Sequence, residues 1–356
     1  MMYQMIAQEK FNALRNKREV VILGIESSCD ETAAAVVKDG RILFSNVIAS
    51  QIEIHRKFGG VVPEVASRNH TLAVNAVAEE ALRVAGVKPE NLDAVAVTHG
   101  AGLAGALLVG VSFAKATAYA LAKPLIKVNH IEAHIAANFI THPDLKPPFL
   151  AVAASGGHTG IIAVKDYNDY RLLGGTVDDA IGEAFDKVAR LLDLPYPGGP
   201  EIDRLAKCGN PAIDFYKHAK SVDKDLKLSY SGLKTAVVNY LNSAKMRGAA
   251  IVKADVCASF TRQAVDLLVN TAIYAASLHQ YKTIVLAGGV AANSYLREKL
   301  AFAAEKEGLA VFCPPPVLCT DNAAMVAARA YYSVLAGTDL AGLDLNAESG
   351  LKLNGA

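Results

Sequence analysis

The sequence predicts an α/β fold of two duplicated lobes, and two observations carry this prediction. An apolar strand runs into a turn of small and polar residues and then into a second strand in EVVILGIESSCDETAAAVVKDGRILFSNVI. The same order returns about 130 residues later in FLAVAASGGHTGIIAVKDYNDYRLLGG. Amphipathic segments of helix length alternate with short apolar strands, as in AVDLLVNTAIYAASLHQY followed by KTIVLAGGV. This alternation is typical of parallel strands covered by helices.

Composition along the chain indicates the domain boundaries. Residues 1–19 carry charges where a secretory signal would need an apolar core, so we expect a short helical or disordered extension. The proline-containing stretch THPDLKPP separates lobe 1, residues 20–140, from lobe 2, residues 149–320. A final helix over 321–337 is expected to complete lobe 1, and residues 338–356 are expected to form a loosely ordered tail.

The overall charge and the apolar content of the chain limit the classes of protein to which it can belong. The formal net charge is +1 and no apolar run reaches the length of a membrane span, so we expect a soluble protein without a membrane segment. Five scattered cysteines without a CxxC pair fit a reducing cytoplasm. A basic run could contact a phosphate backbone, although such runs are also common on solvated helix faces; it comprises Lys217, Lys220, Lys224, Lys227, Lys234, Lys245, Arg247 and Lys253.

The segment VNHIEAHIAAN predicts a helix that presents two histidines on one face. Asn129 is a favourable N-cap and Glu132 stands at the third helical position, as in a capping box. Four helical residues span about 400°, so His130 and His134 lie one turn apart and can share a metal ion. The residue after His130 is Ile131, which excludes the HExxH pattern of zinc proteases.

A third ligand is available in the segment CTDNAAMVA. Asp321 lies where a strand is expected to give way to a helix, a common place for functional carboxylates. Its alternative role is the N-cap of the final helix. Two histidines and one carboxylate suit ferrous iron, and they also suit zinc.

Glycine-rich turns form a second group of candidate functional residues. Glycine lets backbone N–H groups approach a phosphate or a nucleoside closely. Two such turns follow strands, Ser155 to Thr159 and Ala287 to Asn293, and the turn of small and polar residues from Glu26 to Thr32 stands at a comparable strand end. Their alternative role is that of ordinary tight turns in an α/β protein.

The segment TVDDAIGEAFDKVARLLDLPYPGGPEIDRLA adds carboxylates beside glycines. We expect a helix that begins at Thr176, whose positive N-terminal end is stabilised by the negative charges of Asp178 and Asp179. Asp186 falls later on this helix, where it either contacts a polar substrate or pairs with Arg190.

Together these segments resemble the actin-like ATPase superfamily, whose RNase H-like lobes are duplicated and close on a nucleotide in a central cleft. A closer resemblance, from about Val20 to Ala336, is to the bacterial tRNA adenosine threonylcarbamoyltransferases, formerly misnamed glycoproteases. Its motifs in order are GIESSCDET, FGGVVPEVASRNH, GLAGALLVG, NHIEAH, SGGHT, DDAIGEAFDKVARLL, YPGGP, SYSGLKTA, GGVAANSYLRE and CTDNAAM. Ala101 departs from the family's usual proline, and Ala153 and Ala154 replace bulkier apolar residues.

The resemblance implies a set of site residues. It makes His130, His134 and Asp321 the ligands of one Fe²⁺ per subunit, with zinc as the alternative. It assigns the acyl-adenylate to Ala153, Ala154, Ser155, Gly156, Gly157, Asp186, Gly199, Asp203 and Asn293. It identifies no general base.

The activity implied is transfer of the threonylcarbamoyl group from threonylcarbamoyl-AMP to N6 of adenosine 37 in tRNAs that read codons beginning with A. The implied partners are the tRNA, an inactive paralogue (TsaB) and a small ATPase (TsaE). A kinase or ATPase of the same superfamily is the main alternative, and an Hsp70-like nucleotide switch is a second one. The kinase predicts phosphate release without tRNA and gives the histidine pair no role.

Overall fold

The structure, a computed structural model, describes residues 2–215 and 222–353. It consists of two compact units. Unit 1 takes in the chain up to Pro147, the turn Lys165–Tyr170 and the chain from Val317 onward. Unit 2 takes in Pro148–Val164 and Arg171–Pro316.

Unit 1 is built on a mixed sheet. Its described strands are β1 (Val21–Glu26), β2 (Glu31–Lys38), β3 (Ile42–Ser50), β4 (Ala94–Gly100), β5 (Leu125–Asn129) and β11 (Leu340–Ala341). They lie in the order β11-β5-β4-β1-β2-β3. Strands β1, β4 and β5 are parallel, whereas β2, β3 and β11 run antiparallel to their neighbours.

Helices cover both faces of this sheet because its side chains alternate between two buried cores. On β1, Ile22 belongs to one core and the adjacent Leu23 to the other, and Ala35 and Val36 on β2 divide in the same way. The first core also takes side chains from two helices, α5 (His130–Thr141) and α12 (Ala323–Ala336). The second takes them from α3 (Pro63–Ala85) and α4 (Ala104–Ala120). Unit 1 also contains the helices α1 (Met2–Leu14) and α2 (Ile52–Arg56) and all but the first residue of the short α11 (Pro316–Cys319).

Unit 2 repeats this plan. Its described strands are β6 (Phe149–Ala154), β7 (Thr159–Asp166), β8 (Asp169–Gly175), β9 (Thr283–Ala287) and β10 (Ala310–Phe312), in the order β10-β9-β6-β7-β8. Its helices are α6 (Ile181–Leu191), α7 (Gly198–Ala206), α8 (Ser231–Met246), α9 (Lys253–Leu278) and α10 (Ser294–Lys306). Strand β6 is antiparallel to β7 and parallel to β9, as β1 is to β2 and β4. The predicted α/β fold with an internal duplication is confirmed.

The C-terminal tail differs from the expectation of a loosely ordered segment. The N–H of Glu348 donates to the carbonyl of His99 at 2.7 Å, and the N–H of Gly102 donates to the carbonyl of Ser349 at 3.2 Å. Leu353 is buried. These long-range bonds hold residues 338–353 against unit 1, where composition alone indicated no partner.

Within the described part of the chain, no helix combines the length and the apolar character that a bilayer crossing requires.

Candidate metal centre and glycine-rich turns

Helix α5 begins as the sequence predicts. The side chain of Asn129 accepts hydrogen bonds from the N–H groups of Ile131, at 2.9 Å, and Glu132, at 3.4 Å. This N-cap fixes the first turn, so His130 becomes the first helical residue and His134 follows one turn later. Both imidazoles are buried.

Three side chains of unit 1 converge at one point. The Nε2 atoms of His130 and His134 lie 3.1 Å apart. Oδ1 of Asp321 lies 3.1 Å from Nε2 of His134 and 3.5 Å from Nε2 of His130. Asp321 stands between α11 and α12, and it is Asn322 that caps α12 by accepting from the N–H of Met325. The alternative role of Asp321 as that N-cap is therefore excluded.

These residues fit a divalent ion. Ligands bound about 2.1 Å from one metal lie roughly 3.0 to 3.4 Å apart at octahedral or tetrahedral angles, close to the separations seen here. The side chain of Asp321 is one-fifth exposed, whereas that of His134 is only 1% exposed. One edge of the cluster therefore faces away from the packed interior, as a site with open coordination positions requires.

Glu26, the last residue of β1, lies behind His130. Its Oε2 atom is 3.3 Å from Nδ1 of His130, and the hydroxyl of Ser28 is 3.2 Å from the same nitrogen. Burial alone would lower the pKa of His130, but the charges of Asp321 and Glu26 outweigh it and raise this pKa to about 9. The imidazole of His130 is therefore protonated at neutral pH, and a metal ion bound at this point would take the place of its extra proton.

The predicted capping role of Glu132 was wrong. Its carboxylate accepts a hydrogen bond from Nε of Arg329, on α12, at 2.7 Å, and both side chains are buried. Arg329 also donates to Asn168 and to Ser333. A long cation reaching across from α12 offers this carboxylate a stronger partner than its own helix terminus does.

The glycine-rich turns of unit 2 lie at one edge of its sheet. Strands β6 and β9 are parallel, with Ala153 opposite Ala287, so their carboxyl ends lie side by side. Gly288 has φ +90°, and a Cβ there would lie 2.5 Å from the carbonyl oxygen of Ala154. The two turns therefore pack closely, whereas a Cβ at Gly156 or Gly157 would meet nothing within 4 Å.

The two carboxylates of unit 2 that are predicted to bind substrate accept hydrogen bonds from the backbone of neighbouring turns. Oδ1 of Asp186 accepts from the N–H of Gly198 at 2.8 Å, next to Gly199. Asp203 accepts from the N–H and the hydroxyl of Ser294, next to Asn293. Because Gly199 and Asp203 share α7, these residues form one group within unit 2.

Thr176 does not open helix α6, which begins at Ile181. Asp178 instead accepts from the N–H groups of Tyr230 and Ser231 at the start of α8. Burial would raise the pKa of Asp178, but the hydroxyls of Ser229 and Ser231 and these N–H groups lower it.

Part of the predicted basic run is engaged locally. Lys234 pairs with Asp179 at 2.7 Å and Lys227 pairs with Asp225 at 3.0 Å. Lys217 and Lys220 lie outside the described residues. These pairs offset some of the charge that a nucleic-acid surface would use.

The family model for tRNA N6-adenosine threonylcarbamoyltransferase (TsaD) matches residues 42–328. The chain belongs to this family. A tRNA N6-adenosine threonylcarbamoyltransferase of Clostridium perfringens strain SM101 is 56% identical over 333 residues, covering 94% of this chain and 98% of the relative. The corresponding enzyme of Clostridium novyi strain NT is 55% identical over 337 residues, with the same two coverages. The resemblance drawn from the motifs is confirmed.

Solved structures of low sequence identity share the fold of this TsaD family member. HypF from T. kodakarensis has a TM-score of 0.60 at 16% identity, over 90% of this chain and 48% of that one. Component A of the (R)-2-hydroxyglutaryl-CoA dehydratase of Acidaminococcus fermentans has a TM-score of 0.54 at 16% identity, over 88% and 99%.

Two residues near the histidine pair were not singled out from the sequence. The sequence motifs place Glu26 only at the start of a turn, and they give Arg329 no role. The available signal was a charge inside an apolar run, VILGIE for the first and AAMVAARAYY for the second. Charged groups are seldom fully buried without a partner, so such positions indicate a buried pair.

Proposed function

We propose that this chain transfers the threonylcarbamoyl group from threonylcarbamoyl-AMP to N6 of adenosine 37 in tRNAs reading codons that begin with A. Membership of the TsaD family along most of the chain carries this proposal. The N6 amine attacks the carbonyl carbon of the mixed anhydride, and the bond from that carbon to the AMP oxygen breaks. The products are the modified tRNA, AMP and the proton released from N6.

We propose Fe²⁺, with Zn²⁺ as the alternative, as the ion held by His130, His134 and Asp321. The convergence of their three ligand atoms supports this assignment. When bound, the ion would supply a Lewis acid that binds substrate oxygens. A substrate oxygen would approach from the side on which Asp321 is exposed, since both imidazoles are buried.

The proposed seat of the acyl-adenylate is the group of turns in unit 2. The open space at Gly156, Gly157 and Gly199 lets backbone N–H groups face the phosphate or ribose without side chains in the way. The carboxylates of Asp186 and Asp203 hold the neighbouring backbone in place. Charge developing on the departing AMP would be stabilised by these N–H groups.

The proposed partners are the tRNA and, as companion subunits, an inactive paralogue (TsaB) and a small ATPase (TsaE). A separate enzyme is proposed to make the acyl-adenylate. With a net charge of +1, the chain has little overall attraction for tRNA, which favours shared binding across a complex. Cytoplasmic location follows from the proposed substrate.

The deciding experiment incubates metal-loaded protein with synthetic threonylcarbamoyl-AMP and unmodified tRNA, with and without the companion subunits. Nucleoside mass spectrometry should detect N6-threonylcarbamoyladenosine, and a tRNA with guanosine at position 37 should give none. His134→Ala should abolish the product. Steady phosphate release from ATP without tRNA, together with no modified adenosine, would instead support the kinase alternative.

A further inference from the structure

Glu26 is a fully buried carboxylate whose two oxygens have fixed partners. Oε1 accepts from the N–H of Ser28 at 2.6 Å, and Oε2 accepts from the hydroxyl of Thr98 at 2.5 Å. Oε2 also lies 3.3 Å from Nδ1 of His130. The carboxylate is therefore held between β1, β4 and the first turn of α5.

We propose that Glu26 is a positioning residue that keeps Nε2 of His130 available to a metal ion. An imidazole ligates through Nε2 only when that nitrogen carries no proton, so the remaining proton must sit on Nδ1. An ionised carboxylate accepts hydrogen bonds and cannot donate them, so its place at Nδ1 favours this tautomer. This inference rests on the proposed metal centre.

The neighbouring groups do not impose the same choice. The hydroxyl of Ser28 also reaches Nδ1 of His130, but a hydroxyl can donate or accept and selects neither tautomer. Nδ1 of His134 is buried and has no hydrogen-bond partner within the described ranges, so no acceptor at that nitrogen selects the tautomer of this ring. Of the two histidines, His130 is therefore the one whose neighbouring groups select the ring nitrogen that binds the ion.

Replacing Glu26 by Gln tests the proposal with little change in shape. The N–H of Ser28 would keep the amide oxygen at the Oε1 position, which turns the amide NH₂ towards Nδ1 of His130. A donor there favours a proton on Nε2, where the ion should bind. We expect the affinity of the chain for Zn²⁺ alone, measured by competition with a chromophoric chelator, to fall about 10- to 100-fold. The visible absorption of bound Co²⁺ should change as well.

Glu132→Gln is the matched control. Glu132 is also a buried carboxylate near the histidines, but it pairs with Arg329 instead of an imidazole. We expect this variant to keep its Zn²⁺ affinity within about threefold of the unsubstituted chain and to leave the Co²⁺ spectrum unchanged. Loss of a buried charge by itself would affect both variants alike.

Three results would overturn the inference. The first is Zn²⁺ affinity in Glu26→Gln equal to that of the unsubstituted chain, which would leave the metal centre standing. The second is an equal loss in Glu132→Gln. The third is an unsubstituted chain that binds neither ion, which would remove the proposed metal centre as well.

If circular dichroism shows that Glu26→Gln does not fold, a second variant tests the proposal. Thr98→Val removes the hydroxyl that fixes Oε2 of Glu26 and preserves side-chain volume. We expect several-fold weaker Zn²⁺ binding, and an unchanged affinity in this folded variant would also overturn the proposal.

Discussion

His70 is a buried histidine held in one protonation state. Its Nε2 lies 3.0 Å from the carbonyl oxygen of Cys29, which can only accept, so Nε2 carries the proton. Its Nδ1 lies 2.7 Å from the hydroxyl of Thr32 and therefore accepts. The neutral ring ties α3 to the turn between β1 and β2, close to the histidine pair.

This arrangement predicts a pH-dependent stability. Burial lowers the pKa of His70 below its ordinary value in spite of the nearby charges of Glu26 and Asp30. As the pH falls below about 6.5 the unfolded chain binds a proton that the folded chain does not, so stability is lost. His70→Gln should show a smaller decrease in unfolding free energy from pH 7.5 to 5.5, measured with urea. Substitution of the exposed His279 by Gln should keep the original decrease; an unaltered decrease in His70→Gln would contradict the prediction.

Substitution of Gly157, in the turn between β6 and β7, should affect ligand binding without affecting folding. A Cβ at Gly157 would meet nothing within 4 Å, so Gly157→Ala should change the thermal unfolding temperature little. If the backbone must approach the acyl-adenylate, the methyl group should weaken its binding at least about tenfold, measured by calorimetry. Gly350→Ala, equally open and in unit 1, should affect neither quantity. Full affinity in Gly157→Ala would remove this turn from the proposed site.

At the scale of single residues, local spacing predicted the histidine pair and the Asn129 cap because both depend on one helical turn. The partners of these residues were not predicted. Glu26 lies 104 residues from His130, and Arg329 lies 197 residues from Glu132. Contacts over such separations depend on how the sheet orders its strands, which a periodicity of two or 3.6 does not specify.

Helices α5 and α12 carry or adjoin the three proposed ligands and pack against the same sheet face. A Cβ at Gly24 of β1 would lie 2.3 Å from the carbonyl oxygen of Ala323, so α12 rests directly on the strand backbone. The pair of Glu132 and Arg329 then joins the two helices. The position of Asp321 relative to the histidines therefore depends on close helix packing.

Removal of the cation from this pair should destabilise unit 1. Arg329→Met leaves Glu132 buried without its cation, and we expect a loss of about 3–5 kcal/mol in the free energy of unfolding, measured with urea. The double variant Glu132→Met with Arg329→Met should recover much of this loss, because no unpaired charge remains. Equal losses in both variants would mean that packing volume, and not charge, dominates.

At the scale of elements, the strands of both hairpins were predicted from apolar runs and small-residue turns. The start of α6 was not, because the polar signal at Thr176 to Asp179 serves other elements. Asp178 caps α8, and Asp179 binds Lys187 and Lys234. A capping signal in sequence specifies a helix terminus but does not say which helix it serves.

For the whole molecule, the duplication was predictable because the same pattern of strands and turns occurs twice in the sequence. The two sheets repeat the strand order, yet the equivalent turns differ in chemistry. The turn after β1 begins at the buried Glu26, whereas the turn after β6 has open space at Gly156 and Gly157. One architecture thus supplies a carboxylate in one unit and exposed backbone in the other.

The part of the docked C-terminal tail that follows β11, residues 342–353, gives unit 1 a segment that can open without unfolding the sheet. Few backbone bonds hold it, among them that from Glu348 to the carbonyl of His99. In hydrogen–deuterium exchange, the amide of Glu348 should exchange by local opening well before those of β4. A Cβ at Gly100 would lie 2.2 Å from the carbonyl oxygen of Glu348, so Gly100→Ala should accelerate exchange in the tail and leave the amides of β1 unchanged. Equal acceleration in β1 would show that tail and sheet open as one cooperative unit.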